Sequence, residues 1–204
     1  MGLARTVRDP KARERIVEAA TRAVATRGIS GASMRVIAAE AGVTTGFVTH
    51  YFDGKQQVMD AMLAATNAGA ARRVARAIAV DQPPLERLHR AAEAMLPSDP
   101  ERRQEWQVWA AVWSDASSGD ALRARYREGW AGLRRMLAEL LAEAQEEEHL
   151  RDEVDTEYRA DRLVTLLAGI GLLAGVEQPE RVQELATQML AEELSWLSDP
   201  QPLP

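Results

Sequence analysis

The stretch that most constrains this chain is SMRVIAAEAGVTTGFVTHYFDGK, residues 33–55. It reads as two short helices joined by a tight turn. Ser33 stands where a first helix needs a cap, and Met34, Ile37, Ala38 and Ala41 follow at helical spacing on one face. Gly42 falls where that helix must end in a left-handed conformation, which glycine adopts without a Cβ clash. Val43 plugs the corner, Thr44 or Thr45 caps the second helix, and Val48 with Tyr51 or Phe52 turns back toward the first. Ala38 is small where the two helices cross. Thr45, Phe47, Thr49 and His50 are left on the outer face. This is the spacing of a helix-turn-helix, whose second helix enters the major groove of DNA. The competing reading is an αα-corner with a purely structural role.

The charge distribution favours DNA over the bare corner. The net charge of −6 argues against a polyanionic partner, but it is unevenly placed. Residues 1–56 carry nine Lys+Arg against five Asp+Glu, leaving 16 against 26 in the remainder. A basic head on an acidic body suits phosphate contacts made at one end only.

Other classes are excluded by what is missing. There is no cysteine, which removes disulfides and thiolate metal sites. The first residues contain no apolar stretch of secretory type, and the longest apolar run, 163–176, is shorter than the ~20 residues a bilayer needs. The expectation is an intracellular, cytoplasmic protein without a membrane partner. His50, His89 and His149 fall on separate elements, and there is no H-E-x-x-H, phosphate loop or nucleophile elbow. Neither an enzyme, a metal nor a cofactor is expected.

Taken in order, Arg5 and Arg8 belong to an aperiodic arm, and Asp9-Pro10 opens a helix whose stripe of Ile16, Ala19, Ala20, Ala23 and Val24 runs to Gly28. Asp53-Gly54-Lys55 turns into a long helix with Val58, Met62 and Ala65 inward. Lys55 opposes the macrodipole in its first turn, which a bound phosphate would justify. Pro83-Pro84, Asp99-Pro100, the loop at Ser117-Ser118-Gly119, the acidic run Glu146-Glu147-Glu148, Asp155 and Pro179 punctuate five further helices. No strand pattern or repeat occurs. The fold class predicted is all-α: a three-helix helix-turn-helix DNA-binding domain over 1–56 and a larger helical ligand-binding and dimerisation domain over 57–204.

Two features of the body point to function. Trp106, Trp109 and Trp113 form one aromatic stripe, and Trp130, Tyr126 and Met95 are able to join it, with Met62 of the long helix counted at its edge. Core packing is the plain explanation; a partly wet pocket for a flat apolar molecule or a cation is the functional one. Gly169, Gly171 and Gly175 on one apolar helix each cost about 1 kcal/mol relative to Ala, which a close helix approach would offset. Leu163, Leu167, Ile170 and Gly171, with Val182, Leu185 and Met189 of the last helix, are therefore expected to form a two-fold dimer contact.

The head resembles the TetR family of regulators over roughly residues 10–60: a bracing helix ending near Gly28, then A-x-x-A-G-V, then T-G-F-V-T-H-Y-F-D-G-K. Thr49, where that family commonly has an aromatic, followed by H-Y-F-x-G-K, is similar to the BetI-like branch. The resemblance implies a homodimeric repressor released from a palindromic operator by a small-molecule effector. It implies base or backbone contacts for Arg35, Thr45, Gly46, Phe47, Thr49 and His50. Phosphate contacts fall to Ser33, Thr44, Tyr51 and Lys55. Rival readings are a helical small-molecule binding protein or enzyme, and a regulator governed by a protein partner.

Overall fold

Caps and chain-reversing glycines set the helix limits in a computed structural model that describes residues 10–115 and 120–198. The arm at 1–8, the Asp9 cap and the Ser117–Gly119 loop lie outside the described residues. Among the described residues every regular element is an α-helix: α1 (Pro10–Gly31), α2 (Met34–Glu40), α3 (Thr45–Tyr51), α4 (Lys55–Ile78), α5 (Pro84–Met95), α6 (Pro100–Ser114), α7 (Asp120–Glu146), α8 (Thr156–Leu173) and α9 (Pro179–Ser198). The all-α expectation holds.

Local chemistry accounts for the boundaries. Ser33 Oγ accepts from Val36 N, Thr44 Oγ1 from Phe47 N and Asp155 Oδ1 from Tyr158 N, satisfying N–H groups that α2, α3 and α8 leave unpaired. Gly28 takes φ of 68° at a kink inside α1, and Gly42 takes φ of 67° where the chain turns out of α2, both places where a Cβ would be strained. At the end of α7 the left-handed residue is Glu148, φ 59°, within the acidic run.

The chain divides into two compact units, Met1–Thr66 with Gln107–Arg125, and Asn67–Trp106 with Tyr126–Pro204. The division falls within α4, whereas the boundary expected after residue 56 lies in that helix's first turn. In the first unit α1 packs on α2 and α2 on α3. Ile16, Ala19, Ala20 and Val24 of α1 are fully buried, as are Ile37 and Val48, and Phe52 is 1% exposed. Burying one such large side chain contributes about 1.5–3 kcal/mol. Arg22 Nε pairs with Glu40 at 2.9 Å, tying α1 to α2, and the Arg13 guanidinium lies 4.9 Å from the Phe52 ring centroid.

In the second unit α5, α8 and α9 pack together. Leu88, Leu137, Leu141, Leu163 and Leu167 have no exposed surface. Gln145 Nε2 donates to the carbonyls of Arg151 and Val154, both at 2.9 Å, and so staples the α7–α8 connection. No helix of the described residues is long and apolar enough to cross a membrane.

Candidate functional site

The helix-turn-helix is built as its side chains require. Val48 is buried, and with it α3 is fastened inward on one side only. Thr44, Thr45, Gly46, Thr49 and His50 are exposed, Phe47 and Tyr51 half-buried, and Ser33 and Arg35 exposed at the start of α2. The Phe47 and Tyr51 rings sit 5.2 Å apart, and His50 meets Tyr51 edge-on at the same separation. Thr49 Oγ1 donates to Gly46 O at 3.0 Å, which leaves the hydroxyl oxygen able to accept. Lys55 is committed in a way its sequence position does not reveal: Nζ donates to Ile29 O at 2.6 Å, just beyond the Gly28 turn. An ammonium carries three donors, so two remain for a phosphate.

The aromatic residues do not behave as one stripe. Trp106, 3% exposed, donates its indole N–H to Met95 O at 2.8 Å. Its ring lies against Gly171 of α8 so closely that a Cβ there would fall 2.0 Å from Cε3. Trp130 stands 5.6 Å from Trp106, and Tyr126 is 6.1 Å from Trp130. Burial pushes the Tyr126 phenol above its ordinary pKa, and a hydrogen bond with Trp130 works against that shift. Met95, Trp106, Tyr126 and Trp130 are thus brought together in one unit. Met62, Trp109 and Trp113 belong to the other, where the first two are buried and Trp113 is 67% exposed.

The last two helices present a face different from the one expected. Leu163, Leu167, Ile170, Gly171 and Val182 are buried inside the single chain, because they point at its own core. The close approach at Gly171 is made by Trp106, not by a second copy. Leu185 is half-buried, and Met189 is 40% exposed. The outer side of α8 and α9 carries a groove of about 980 Å³ lined by Tyr158, Leu166, Leu172, Leu173, Val176 and Met189 among others.

A charged cluster missed by sequence reasoning sits in this groove. Arg159 Nη1 and Arg162 Nη2 reach Glu193 at 3.2 and 2.8 Å, and the Arg159 guanidinium lies 3.2 Å over the Trp196 ring. Burial alone would raise the Glu193 pKa, yet its bonds and charges with Arg162 and Arg159 outweigh burial and hold it below the usual carboxylate value. The Glu193 bond in turn holds the Arg162 guanidinium above its ordinary value.

Profiles of known families match both parts of the chain. Bacterial regulatory proteins of the tetR family match residues 16–62, and the C-terminal region of BetI-type transcriptional repressors matches residues 84–195. The chain belongs to the TetR family. This TetR-family regulator is 30% identical over 175 residues to the HTH-type transcriptional regulator PksA of Bacillus subtilis, covering 85% of this chain and 83% of that one. It is 28% identical over 178 residues to the regulator BetI of Vibrio vulnificus, 85% of each chain. Among solved structures, a putative transcriptional regulator from Saccharomonospora viridis in complex with choline superposes with a TM-score of 0.81 at 28% identity, over 92% of this chain and 97% of that one.

Proposed function

We propose that this TetR-family regulator is a dimeric, ligand-responsive repressor of the BetI-like branch, acting in the cytoplasm on a palindromic operator. The observation that carries the reading is the outer face of α3, where Thr45, Gly46, Thr49 and His50 are exposed while Val48 holds the helix to its support. Exposed polar side chains on an anchored helix are what base-edge recognition in the major groove requires. Arg35 and Phe47 flank that face, and Ser33, Thr44, Tyr51 and Lys55 take phosphates.

A second copy is the natural cover for the exposed apolar surface of α8 and α9, with Met189 and Leu185 retained from the expected contact and Leu172, Leu173 and Val176 replacing the residues that are buried. The effector binds among the indoles. Trp106, Trp130 and Tyr126 offer ring faces suited to a cation, with Met95 beside them and Met62, Trp109 and Trp113 as further candidates. The likeness to a choline-bound regulator makes choline the first molecule to try. The effector-bound body swings α4 as a lever and moves the two recognition helices off their spacing.

The test is fluorescence anisotropy on the duplex that the protein enriches from a random-sequence pool, titrated with choline. The anisotropy should fall as choline is added and recover on its removal. Anisotropy unchanged at millimolar choline would reject a choline-type effector.

A further inference from the structure

The charged side chains that line the groove of α8 and α9 can be balanced one against another. Arg159 Nη1 donates to Glu193 Oε1 at 3.2 Å. Arg162 forks onto the same carboxylate, Nε to Oε1 at 3.1 Å and Nη2 to Oε2 at 2.8 Å. Two guanidiniums therefore share one carboxylate, and the cluster keeps one positive charge in surplus. The Arg159 side chain is 6% exposed, Glu193 9% and Arg162 41%, so the surplus charge reaches the surface at Arg162. Glu193 takes two of its five N–H donors and Tyr158 bonds it as well, which leaves two for another molecule.

Two more carboxylates line the groove, Asp161 and Glu192. Asp161 already meets a cation, Arg134 Nη1, at 3.4 Å. Glu192 takes a neutral donor, Gln188 Nε2, at 2.9 Å, and among the described residues no cation lies within ion-pair distance of it. Glu192 is exposed and follows directly before Glu193 in α9, about 100° round the helix from it. The unbalanced positive and negative charges of the groove thus occur at one level of α9, at Arg162 and Glu192.

Around them Leu166, Leu172, Leu173 and Met189 supply apolar surface, which attracts apolar partners without choosing among them. Charges set in such a surface do choose, because a partner that leaves them unpaired or meets them with like charge is penalised. A two-fold axis passing between Arg162 and Glu192 lays each over its opposite on a second copy, since an isologous contact pairs residue i with j and j with i. We infer that these two residues are the pairing determinants of the groove: Arg162 of each protomer meets Glu192 of the partner subunit, and a chain without the opposed charges is refused. The inference rests on the reading that a second copy covers α8 and α9, and it names the residues that select that copy.

The full chain is compared by sedimentation velocity with Glu192→Arg and with Arg162→Glu, the helix content of each verified by circular dichroism. Either variant alone sets like charges across the axis, and its dimer dissociation constant should rise at least about thirtyfold. Mixed in equal amounts, the two variants restore both opposed pairs, and native mass spectrometry should show the mixed dimer in excess over either homodimer. A role for Arg162 confined to its own chain would produce no such preference. Should Arg162→Glu fail to fold, Arg162→Met/Glu192→Arg takes its place and should regain about tenfold of the affinity lost in Glu192→Arg, because the like charge is gone. Glu192→Arg dimerising as tightly as wild type, or folded variants that show no preference for each other, overturns the pairing and leaves the repressor reading intact. A wild-type chain that stays monomeric at micromolar concentration, both free and on the duplex it enriches from a random pool, gives the groove to another occupant and overturns both.

Discussion

Replacing Gly171 by Ala adds one methyl group where the structure has no room for it. The new Cβ would lie 2.0, 2.1 and 2.3 Å from Cε3, Cδ2 and Cζ3 of Trp106. Carbon atoms pack at about 3.5–4.0 Å, so the indole must retreat by roughly 1.5 Å. Overpacking of this kind costs about 1–3 kcal/mol. The retreat also stretches the 2.8 Å bond from the indole to Met95 O past hydrogen-bonding range, stranding a buried carbonyl. That adds about 1–3 kcal/mol. Alanine returns about 1 kcal/mol through its better helix propensity. The net expectation is a loss of about 3 kcal/mol. Guanidinium titration followed by tryptophan emission, at one fixed protomer concentration because association shifts apparent stability, reads it directly. With a slope of about 4 kcal/mol/M, the midpoint should fall by about 0.7 M. The Gly171→Ala/Trp106→Leu pair should be less damaging than the sum of its singles by more than about 0.5 kcal/mol. A midpoint equal to or above wild type would refute the packing argument.

Other substitutions probe the remaining parts. Arg35→Ala should weaken the selected duplex by about 1–3 kcal/mol while leaving binding to unrelated DNA nearly unchanged, as measured by competition anisotropy. Lys55→Ala should weaken all duplexes alike and reduce the salt slope by about one counterion, and should also lower the melting temperature because the bond to Ile29 O is lost. Glu193→Ala leaves the Arg159 charge buried without its carboxylate and should cost about 3–5 kcal/mol in urea titration. Because the folded Glu193 pKa is lowered, its contribution is complete above the unfolded carboxylate value of about 4.3 and is lost as pH falls through the lower folded value. Glu193→Gln should therefore flatten the stability profile below about pH 4, where the wild type is still losing stability.

The head was legible because its signals are local. Ser33 and Thr44 cap helices three residues ahead, and Gly28 and Gly42 turn the chain where only glycine is unstrained. The body was legible in its helix limits but not in what its faces meet. A glycine in an apolar helix announces a close approach without naming the neighbour, and at Gly171 the neighbour is Trp106, sixty-odd residues earlier in the chain. The apolar spacing of Leu163, Leu167 and Ile170 marks the buried side of α8. The opposite side, with Leu172 and Leu173 at the helix end, becomes visible only once the core is assigned. Periodicity likewise aligned Trp113 with Trp106 and Trp109, but Trp113 stands in the last turn of α6, next to its final residue Ser114, and is exposed. Arg73–Glu105 and Arg159–Glu193 span 32 and 34 residues, so no local pattern announces either pair.

The central claim is that two copies of this chain read one palindromic operator. Native mass spectrometry of the chain with the duplex it enriches from a random pool tests this most directly. Two protomers per duplex are predicted, on an enriched sequence whose half-site centres lie one helical turn apart, about 34–36 Å. A single protomer per duplex, or a pool in which no sequence is enriched, would contradict the account.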